Sequence, residues 1–273
     1  MKLFAKTQSS DRSASRVSSI QTTGDVRVVN EHTIDAIPRL EAVPVLEATS
    51  LSKAYHRAGA RLPVLQDASM EVFSQEVVMI AGPSGSGKST LLAILGGLLT
   101  PDAGSVIVDG VDAYRVRQAA RARLRAEKIG YIFQKCHLFQ GLTAAENVMM
   151  VSALQGKTGR EARQQADELL AAVGLSEHAT ARASQMSLGQ CQRVAVARAL
   201  AANPKLLLAD EPTASLDQQN GEEVVSLIRK LGKQAGRAAV IVTHDRRIFR
   251  YADRILWVAD GRIEQINPTS NQL

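Results

Sequence analysis

The amino-acid sequence predicts an α/β protein with a mostly parallel β-sheet core, an antiparallel β subdomain and a helical subdomain. Three observations predict this class. Short β-type segments dominate the chain from 45 to 81, a long helical stretch covers roughly 140–185, and apolar strands alternate with helices after 186. Continuous apolar strands between helices are typical of a parallel sheet that is buried on both faces.

The first predicted elements are strands at 45–50, 64–73 and 76–81, a glycine-rich turn and a helix over about 88–99. Strand-like segments at 105–108 and 129–133 come next. A helical subdomain is expected over about 137–186. Its clearest helix opens at Thr158, where Glu161 stands at the spacing of a capping box. The remaining elements are a helix at 190–201, a strand at 205–209, a helix at 219–234, a strand at 238–243, a helix at 246–251 and a strand at 254–258.

Composition limits where the chain can work. No apolar segment approaches the roughly 18–20 residues that cross a bilayer, and no secretory leader is recognisable. We therefore expect a cytoplasmic protein that reaches a membrane through a partner. The two cysteines, Cys136 and Cys191, are far apart in sequence and have no metal-ligand spacing, which is typical of a reducing compartment.

Residues 1–42 are predicted to be a disordered tail, because serine and arginine are interspersed there without helical or strand periodicity. A targeting peptide is the alternative for its first part. One folded domain is expected over 43–273.

A phosphate-binding loop follows the strand at 76–81. The segment Gly82-Pro83-Ser84-Gly85-Ser86-Gly87-Lys88-Ser89 fits the pattern G-x-x-x-x-G-K-[ST], and Thr90 continues into the helix. Glycines allow backbone amides to surround phosphate oxygens, and the N-terminus of the helix adds its positive dipole end. Lys88 can reach the β- and γ-phosphates of a nucleoside triphosphate, and Ser89 can ligate Mg²⁺. An incidental glycine-rich turn is a poor alternative, given the strand before it and the helix after it.

Two carboxylates follow another apolar strand. Asp210 and Glu211 end the segment that begins at Leu206. Since the carboxyl ends of parallel strands open into one crevice, Asp210 can lie beside the phosphate loop and hold Mg²⁺. Glu211 can then polarise the attacking water. A helix N-cap is the ordinary alternative for an Asp-Glu pair after a strand.

Several further strings resemble those of the ABC ATPases, in the order that is usual for that family. They are Tyr131-Ile-Phe-Gln134 for the Q-loop, Met186-Ser-Leu-Gly-Gln190 for the signature, Asp210-Glu-Pro-Thr-Ala-Ser-Leu-Asp217 for the Walker B segment and D-loop, Thr243-His244-Asp245 for the switch histidine, and Tyr55 for the adenine-stacking aromatic. The resemblance covers roughly 45–265 and implies a P-loop NTPase fold of the ABC type.

The resemblance also implies roles. Two cassettes would pair head to tail, so that Ser187, Gly189 and Gln190 of one copy clamp the ATP on the phosphate loop of the other, near Asp217. Gln134 would touch Mg²⁺ and water, and His244 would orient Glu211 and the γ-phosphate. One departure is Leu188, which stands where the family usually has the first signature glycine. Leucine disfavours positive φ and fills space at the dimer seam, which bears on the rate of turnover.

The subgroup that the chain resembles supplies cassettes to macrolide exporters, lipoprotein-releasing complexes, cell-division pairs and heterocyst-glycolipid exporters. The supporting strings begin at Ile129, Leu142, Ala209, Val242 and Tyr251. This implies a separate integral-membrane permease that meets the stretch after Gln134, and in some systems a periplasmic adaptor and an outer-membrane channel. An import cassette and a non-transporting mechanotransmitting complex stay open as alternatives.

A nucleic-acid partner is not expected. The net charge of +6 suits nucleotide phosphates or an anionic membrane equally well. Arg117, Arg121 and Arg125 form a basic stripe at i, i+4 spacing, for which a solvated helix face is the alternative to a lipid or nucleic-acid patch. A chromosome-structure ATPase would need heptads between Lys88 and Ser187, and a ribosome-acting protein would need a second cassette; neither is present in the sequence.

Overall fold

The structure is a computed structural model that describes residues 43–57 and 59–266. The predicted tail at 1–42 therefore lies outside the described residues, as do 58 and 267–273. The described part belongs to one compact unit, Ala42–Leu273.

Ten strands in the described part of the chain form two sheets. The antiparallel sheet has the order β2-β1-β4-β5 and contains β1 (Leu46–Arg57), β2 (Ala60–Val72), β4 (Ala103–Val108) and β5 (Val111–Asp112). The second sheet has the order β10-β9-β3-β8-β7-β6 and contains β3 (Val77–Ala81), β6 (Ile129–Ile132), β7 (Leu206–Asp210), β8 (Ala238–Val242), β9 (Arg254–Ala259) and β10 (Arg262–Ile266). All its pairs are parallel except β9 with β10. The predicted mixture of a parallel core and an antiparallel subdomain is confirmed.

Six α-helices occur among the described residues: α1 (Lys88–Leu95), α2 (Gln118–Lys128), α3 (Ala144–Leu154), α4 (Gly159–Ala172), α5 (Leu188–Leu200) and α6 (Gln218–Lys233). Short 3-10 helices lie at Ser176–His178, Ala183–Gln185, Gln234–Gly236 and Arg246–Tyr251. Within this described part, none of the helices has both the length and the apolar character needed to cross a bilayer.

The parallel sheet is buried on both faces, and β3 shows how. Val77, Met79 and Ala81 face a core cluster that contains residues of α3 to α6, whereas Val78 and Ile80 face a cluster with α1 and the antiparallel sheet. Side chains alternate between the two faces because the side-chain repeat of a strand is two residues. A strand with two buried faces therefore reads as one continuous apolar segment.

One predicted helix end and one predicted cap are wrong. The first helix ends at Leu95 rather than near Leu99, because Gly97 takes a φ of 66° and turns the chain. The predicted capping box at Thr158 is absent: Thr158 is the N-cap but makes no side-chain capping bond. Gly159, the next residue, has a φ of 58°, which is not helical and displaces the first turn from the Thr158 hydroxyl.

The basic stripe attaches α2 to the turn after α1. Arg121 donates to the Thr100 hydroxyl over 3.1 Å and lies over the Tyr114 ring, and Arg125 donates to the Gly97 carbonyl over 3.0 Å. These contacts give two of the three arginines a structural role. They explain why a helix that buries only Leu124 is ordered in this place.

Gly130 in β6 tests how closely α5 packs on the sheet. A Cβ at Gly130 would stand 2.3 Å from the backbone oxygen of Ala199 and 2.7 Å from Leu207 Cδ2. We expect Gly130→Ala to lower the free energy of unfolding by about 1–3 kcal/mol, measured by urea denaturation. Gly141→Ala is the matched control, since nothing lies within 4 Å of the Cβ that it adds. Equal unfolding midpoints for the two variants would contradict this packing.

Candidate functional site

The phosphate loop leaves β3 and enters α1 at Lys88. Gly82, Gly85 and Gly87 have positive φ, and a Cβ on Gly82 would stand 2.1 Å from the Val258 carbonyl oxygen. The loop therefore needs glycine both for its conformation and for its close approach to β9. The Ser86 hydroxyl is buried and has no hydrogen-bond partner among the described residues.

Lys88 is buried inside this loop. Its Nζ donates to the carbonyl oxygens of Gly82, over 2.9 Å, and Pro83, over 2.8 Å. Burial lowers the pKa of Lys88, while the charges of Glu211 and Asp210 act in the opposite direction. An anion near the ammonium group would offset the free-energy cost of burying its charge, and a phosphate ligand would supply such an anion.

Asp210, the last residue of β7, faces the first turn of α1. Ser89 donates its hydroxyl hydrogen to Asp210 Oδ1 over 3.0 Å. Burial raises the pKa of Asp210, and the Ser89 hydrogen bond partly offsets this effect. The two oxygen groups are of the type that Mg²⁺ prefers.

Glu211 and His244 form a pair at the same edge of the sheet. His244 Nδ1 lies 2.9 Å from one carboxylate oxygen of Glu211 and 2.8 Å from the other. The Glu211 side chain is 14% exposed and that of His244 is 62% exposed. Glu211 has a φ of 46°, and its N–H donates to the Val242 carbonyl over 2.9 Å. The conformation is unfavourable for a non-glycine residue, and such strain concentrates at functional positions.

The signature segment forms a second, separate cluster. Ser187 is the N-cap of α5, and its hydroxyl oxygen accepts a hydrogen bond from the Gln190 backbone N–H over 3.2 Å. Gly189 packs on α6, since a Cβ there would stand 2.8 Å from Asn220 Oδ1. Asp217, the N-cap of α6, accepts from both the backbone and the side chain of Asn220.

The backbone conformation of Leu188 is that of an ordinary helical residue. Leu188 is the first helical residue of α5, is 45% exposed and does not have a positive φ. Leucine therefore meets no backbone strain at this position, and the expectation of a disfavoured φ is wrong.

The structure brings together Lys88, Ser89, Asp210, Glu211 and His244. It does not bring every predicted residue to that edge. Tyr55 lies on β1, 43% exposed and opposite Leu62 of β2, and Gln134 is exposed two residues after β6. Among the described residues, the signature residues Ser187 and Gln190 bond to each other and Gln190 to His178, and Gly189 packs against Asn220 of α6; the phosphate loop is not among these contacts.

Sequence reasoning missed the residues that hold the turn after Gln134. Cys136 and His137 both have positive φ, and the Arg198 guanidinium of α5 donates to both of their carbonyl oxygens over 2.6 Å. The buried Gln192 accepts from the Cys136 thiol and donates to the Phe133 carbonyl. Burial raises the pKa of Cys136 to about 12, so the thiol acts as a hydrogen-bond donor here. The sequence signal for this contact is weak, because Gln192 and Arg198 are only two of several polar residues on α5.

Comparisons with known proteins agree with this geometry. The family model described as "ABC transporter" matches residues 65–214. The lipoprotein-releasing system ATP-binding protein LolD 2 of Caulobacter vibrioides is 43% identical over 221 residues, which cover 81% of this chain and 97% of that protein. The macrolide export ATP-binding/permease protein MacB of Burkholderia pseudomallei is 42% identical over 82% of this chain, but the match covers only 35% of MacB.

A solved structure supports the same assignment. The dimeric, post-hydrolysis state of the ATP-binding cassette MJ0796, bound to ADP and Pi, has a TM-score of 0.76 and 36% identity, covering 82% of this chain and 99% of that one. Together with the site at the edge of the sheet, these matches show that the chain belongs to the ABC transporter family, as an ATP-binding subunit that hydrolyses ATP.

Proposed function

We propose that this chain powers export through a separate membrane permease, by pairing head to tail with a second copy around two ATP molecules. The observation that carries the proposal is the assembly of Lys88, Ser89, Asp210, Glu211 and His244 at one edge of the sheet. We assign residues 43–273 to the ABC domain, with its helical subdomain at about 137–186.

The phosphate loop fits the triphosphate of ATP. Gly82 to Thr90 would hold the phosphates, with the unpartnered Ser86 hydroxyl and the Lys88 ammonium supplying donors beside the loop amides. Tyr55 would stack on the adenine. This assignment accounts for the buried Ser86 hydroxyl, which otherwise has no hydrogen-bond partner among the described residues.

Mg²⁺ fits the pair formed by Ser89 and Asp210. Both offer oxygen, and a cation there would offset the burial that raises the pKa of Asp210. Gln134 follows β6, the strand next to β7, and would complete the set. When bound, Mg²⁺ neutralises charge on the phosphate oxygens.

Glu211 and His244 would serve the hydrolytic step. Glu211 positions a water molecule and accepts its proton while the water oxygen attacks the γ-phosphorus and the bond to the bridging oxygen of ADP breaks. His244, already hydrogen-bonded to the carboxylate, orients it toward that water. Phosphoryl transfer has a loose transition state, so positioning supplies most of the acceleration.

The signature would complete the site of the second copy. The Ser187 hydroxyl oxygen accepts a hydrogen bond from the Gln190 backbone N–H, and this bond does not use the hydroxyl hydrogen. That hydrogen therefore stays available for a phosphate oxygen. Gly189, Gln190 and Asp217 would lie at the same seam. The dimeric cassette MJ0796 supports such pairing.

The names of the relatives support the direction of transport and the partner. LolD proteins belong to a lipoprotein-releasing system, and MacB combines an ATP-binding part and a permease for macrolide export. Exposed apolar side chains of this chain, Phe139, Met150 and Leu154, offer a surface for the permease. The chain would then act at the inner face of the membrane, and a periplasmic adaptor and an outer-membrane channel would complete the proposed exporter.

Glu211 tests the hydrolytic assignment. We expect Glu211→Gln to lower kcat for ATP at least 100-fold, because the amide cannot accept a proton from water, while ATP binding stays intact. Phosphate release and nucleotide titration measure the two effects, and Lys88→Ala should abolish binding. Glu223→Gln, an exposed change on α6, is the matched control. ATP turnover that is insensitive to Glu211→Gln would show that the site is degenerate.

Ser187 tests the pairing of cassettes. In the Glu211→Gln background, ATP should convert the monomer into a dimer, which sedimentation velocity measures. Ser187→Arg should prevent this conversion, since a long cation would fill the seam, yet leave ATP binding to the monomer unchanged. Dimerisation of the Ser187→Arg protein at the same ATP concentration would refute the head-to-tail arrangement.

Leu154 tests the permease surface. Its side chain is 75% exposed at the end of α3. We expect Leu154→Glu to lower co-purification with the permease about tenfold, because an apolar contact would become a buried charge. Leu98→Glu is the control, as Leu98 is also exposed but lies after α1. Equal losses for both variants would place the permease elsewhere.

A further inference from the structure

The side-chain amide of Gln190 is held from two sides. Its Oε1 accepts a hydrogen bond from the Ser187 backbone N–H over 2.9 Å, as part of the capping box of α5. Its Nε2 lies 3.0 Å from His178 Nε2. The signature segment is thus tied to a histidine outside every motif that the sequence identifies.

The capping box fixes which atom donates in this second bond. A backbone N–H can only donate, so the Gln190 atom that receives it is the amide oxygen. The other atom is therefore the amide nitrogen, which has hydrogens and no acceptor site. His178 Nε2 must accept, which requires a neutral imidazole with its hydrogen on Nδ1.

The backbone of His178 is anchored to the start of α3. His178 ends the 3-10 helix at Ser176–His178, and its carbonyl accepts from the Ala181 N–H over 3.0 Å. The carbonyls of Ala179 and Ala181 in turn accept from the first amides of α3, over 3.0 and 2.9 Å. The imidazole therefore projects from a turn that is held by the start of α3.

We propose that His178 is a positioning residue for ATP hydrolysis. By accepting from Gln190, it keeps the capping box closed and holds the Ser187 hydroxyl and the Gly189 amide in place for the γ-phosphate on the other copy. This role rests on the proposed head-to-tail pairing.

This role requires that the side chain at position 178 accept a hydrogen bond from the side-chain amide of Gln190. Glutamine can place an amide oxygen near the position of imidazole Nε2, whereas asparagine is too short and lysine can only donate. His178→Gln should therefore preserve the signature, and His178→Ala, His178→Asn and His178→Lys should loosen it. The loss of one capping interaction corresponds to a change of about tenfold or less in an equilibrium constant.

The experiment uses Glu211→Gln as the parent and measures ATP-dependent dimerisation by sedimentation velocity. We expect His178→Ala, His178→Asn and His178→Lys to weaken dimerisation about fivefold to tenfold. His178→Gln should restore the parental affinity, and Glu177→Ala, an exposed change on the same turn, should leave it unaltered. The monomers of all variants should stay folded and bind ATP with the parental affinity, which separates positioning from folding.

The outcomes distinguish this role from the pairing itself. A parent that stays monomeric with ATP overturns the proposed pairing, and the role of His178 with it. A parent that dimerises as well with His178→Ala as without it overturns only the role of His178. A failure of glutamine to rescue, with alanine defective, also overturns it.

A spectroscopic measurement on the full chain checks the geometry without ATP. Nitrogen-15 shifts of the histidines distinguish the two neutral tautomers of imidazole. We expect the form with hydrogen on Nδ1 for His178, changed by Gln190→Ala. The Nε2–H tautomer would overturn the proposal.

Discussion

The parallel pairing of β3, β8 and β7 is the constraint on which the site depends. Val242, the last residue of β8, is in register with Ile80 of β3 on one side and with Asp210 of β7 on the other. The ends of three strands therefore form one row. The phosphate loop, Asp210 with Glu211, and His244 each leave this row within a few residues, so residues far apart in sequence meet without a long connection.

The same row of strand ends explains why the pKa values of Lys88 and Asp210 are shifted. The strands beneath this row are apolar and buried, so Lys88 and Asp210 lose hydration. Burial lowers the pKa of Lys88 and raises the pKa of Asp210, which favours the uncharged form of each group. A triphosphate with its metal would restore opposite charges to both groups at once. The strained backbone of Glu211 persists because its N–H is fixed to the Val242 carbonyl and its carboxylate to His244. Folding thus places the charges before any ligand binds, which is what electrostatic preorganisation requires.

Sequence reasoning predicted which residues meet at this edge of the sheet, because a phosphate loop and carboxylates that follow neighbouring parallel strands end side by side. It missed elements that are held in place by polar contacts or backbone hydrogen bonds instead of apolar packing. Helix α2 has no apolar stripe, and β10 pairs with β9 through backbone bonds that leave no apolar signal. The Ser187 cap was predictable from its own helix, whereas its support by His178 was not, because nothing in the sequence shows that two turns meet. The failed cap at Thr158 shows the converse, since one positive φ at Gly159 cancels a correct spacing.

Helix α5 joins the two parts of the molecule that the proposed cycle must coordinate. Its N-terminus carries the signature, and further along Gln192 and Arg198 bond to the carbonyls of Phe133, Cys136 and His137 in the turn after Gln134. Two consecutive residues of that turn have positive φ, so the turn would relax if these bonds were lost. Because a helix of this length is rigid, a displacement of the turn by a partner must either move α5 or break the Arg198 bonds. The bonds are charge-assisted, and one of them is partly buried, so a partner that displaces the turn would act on the same helix that carries the signature.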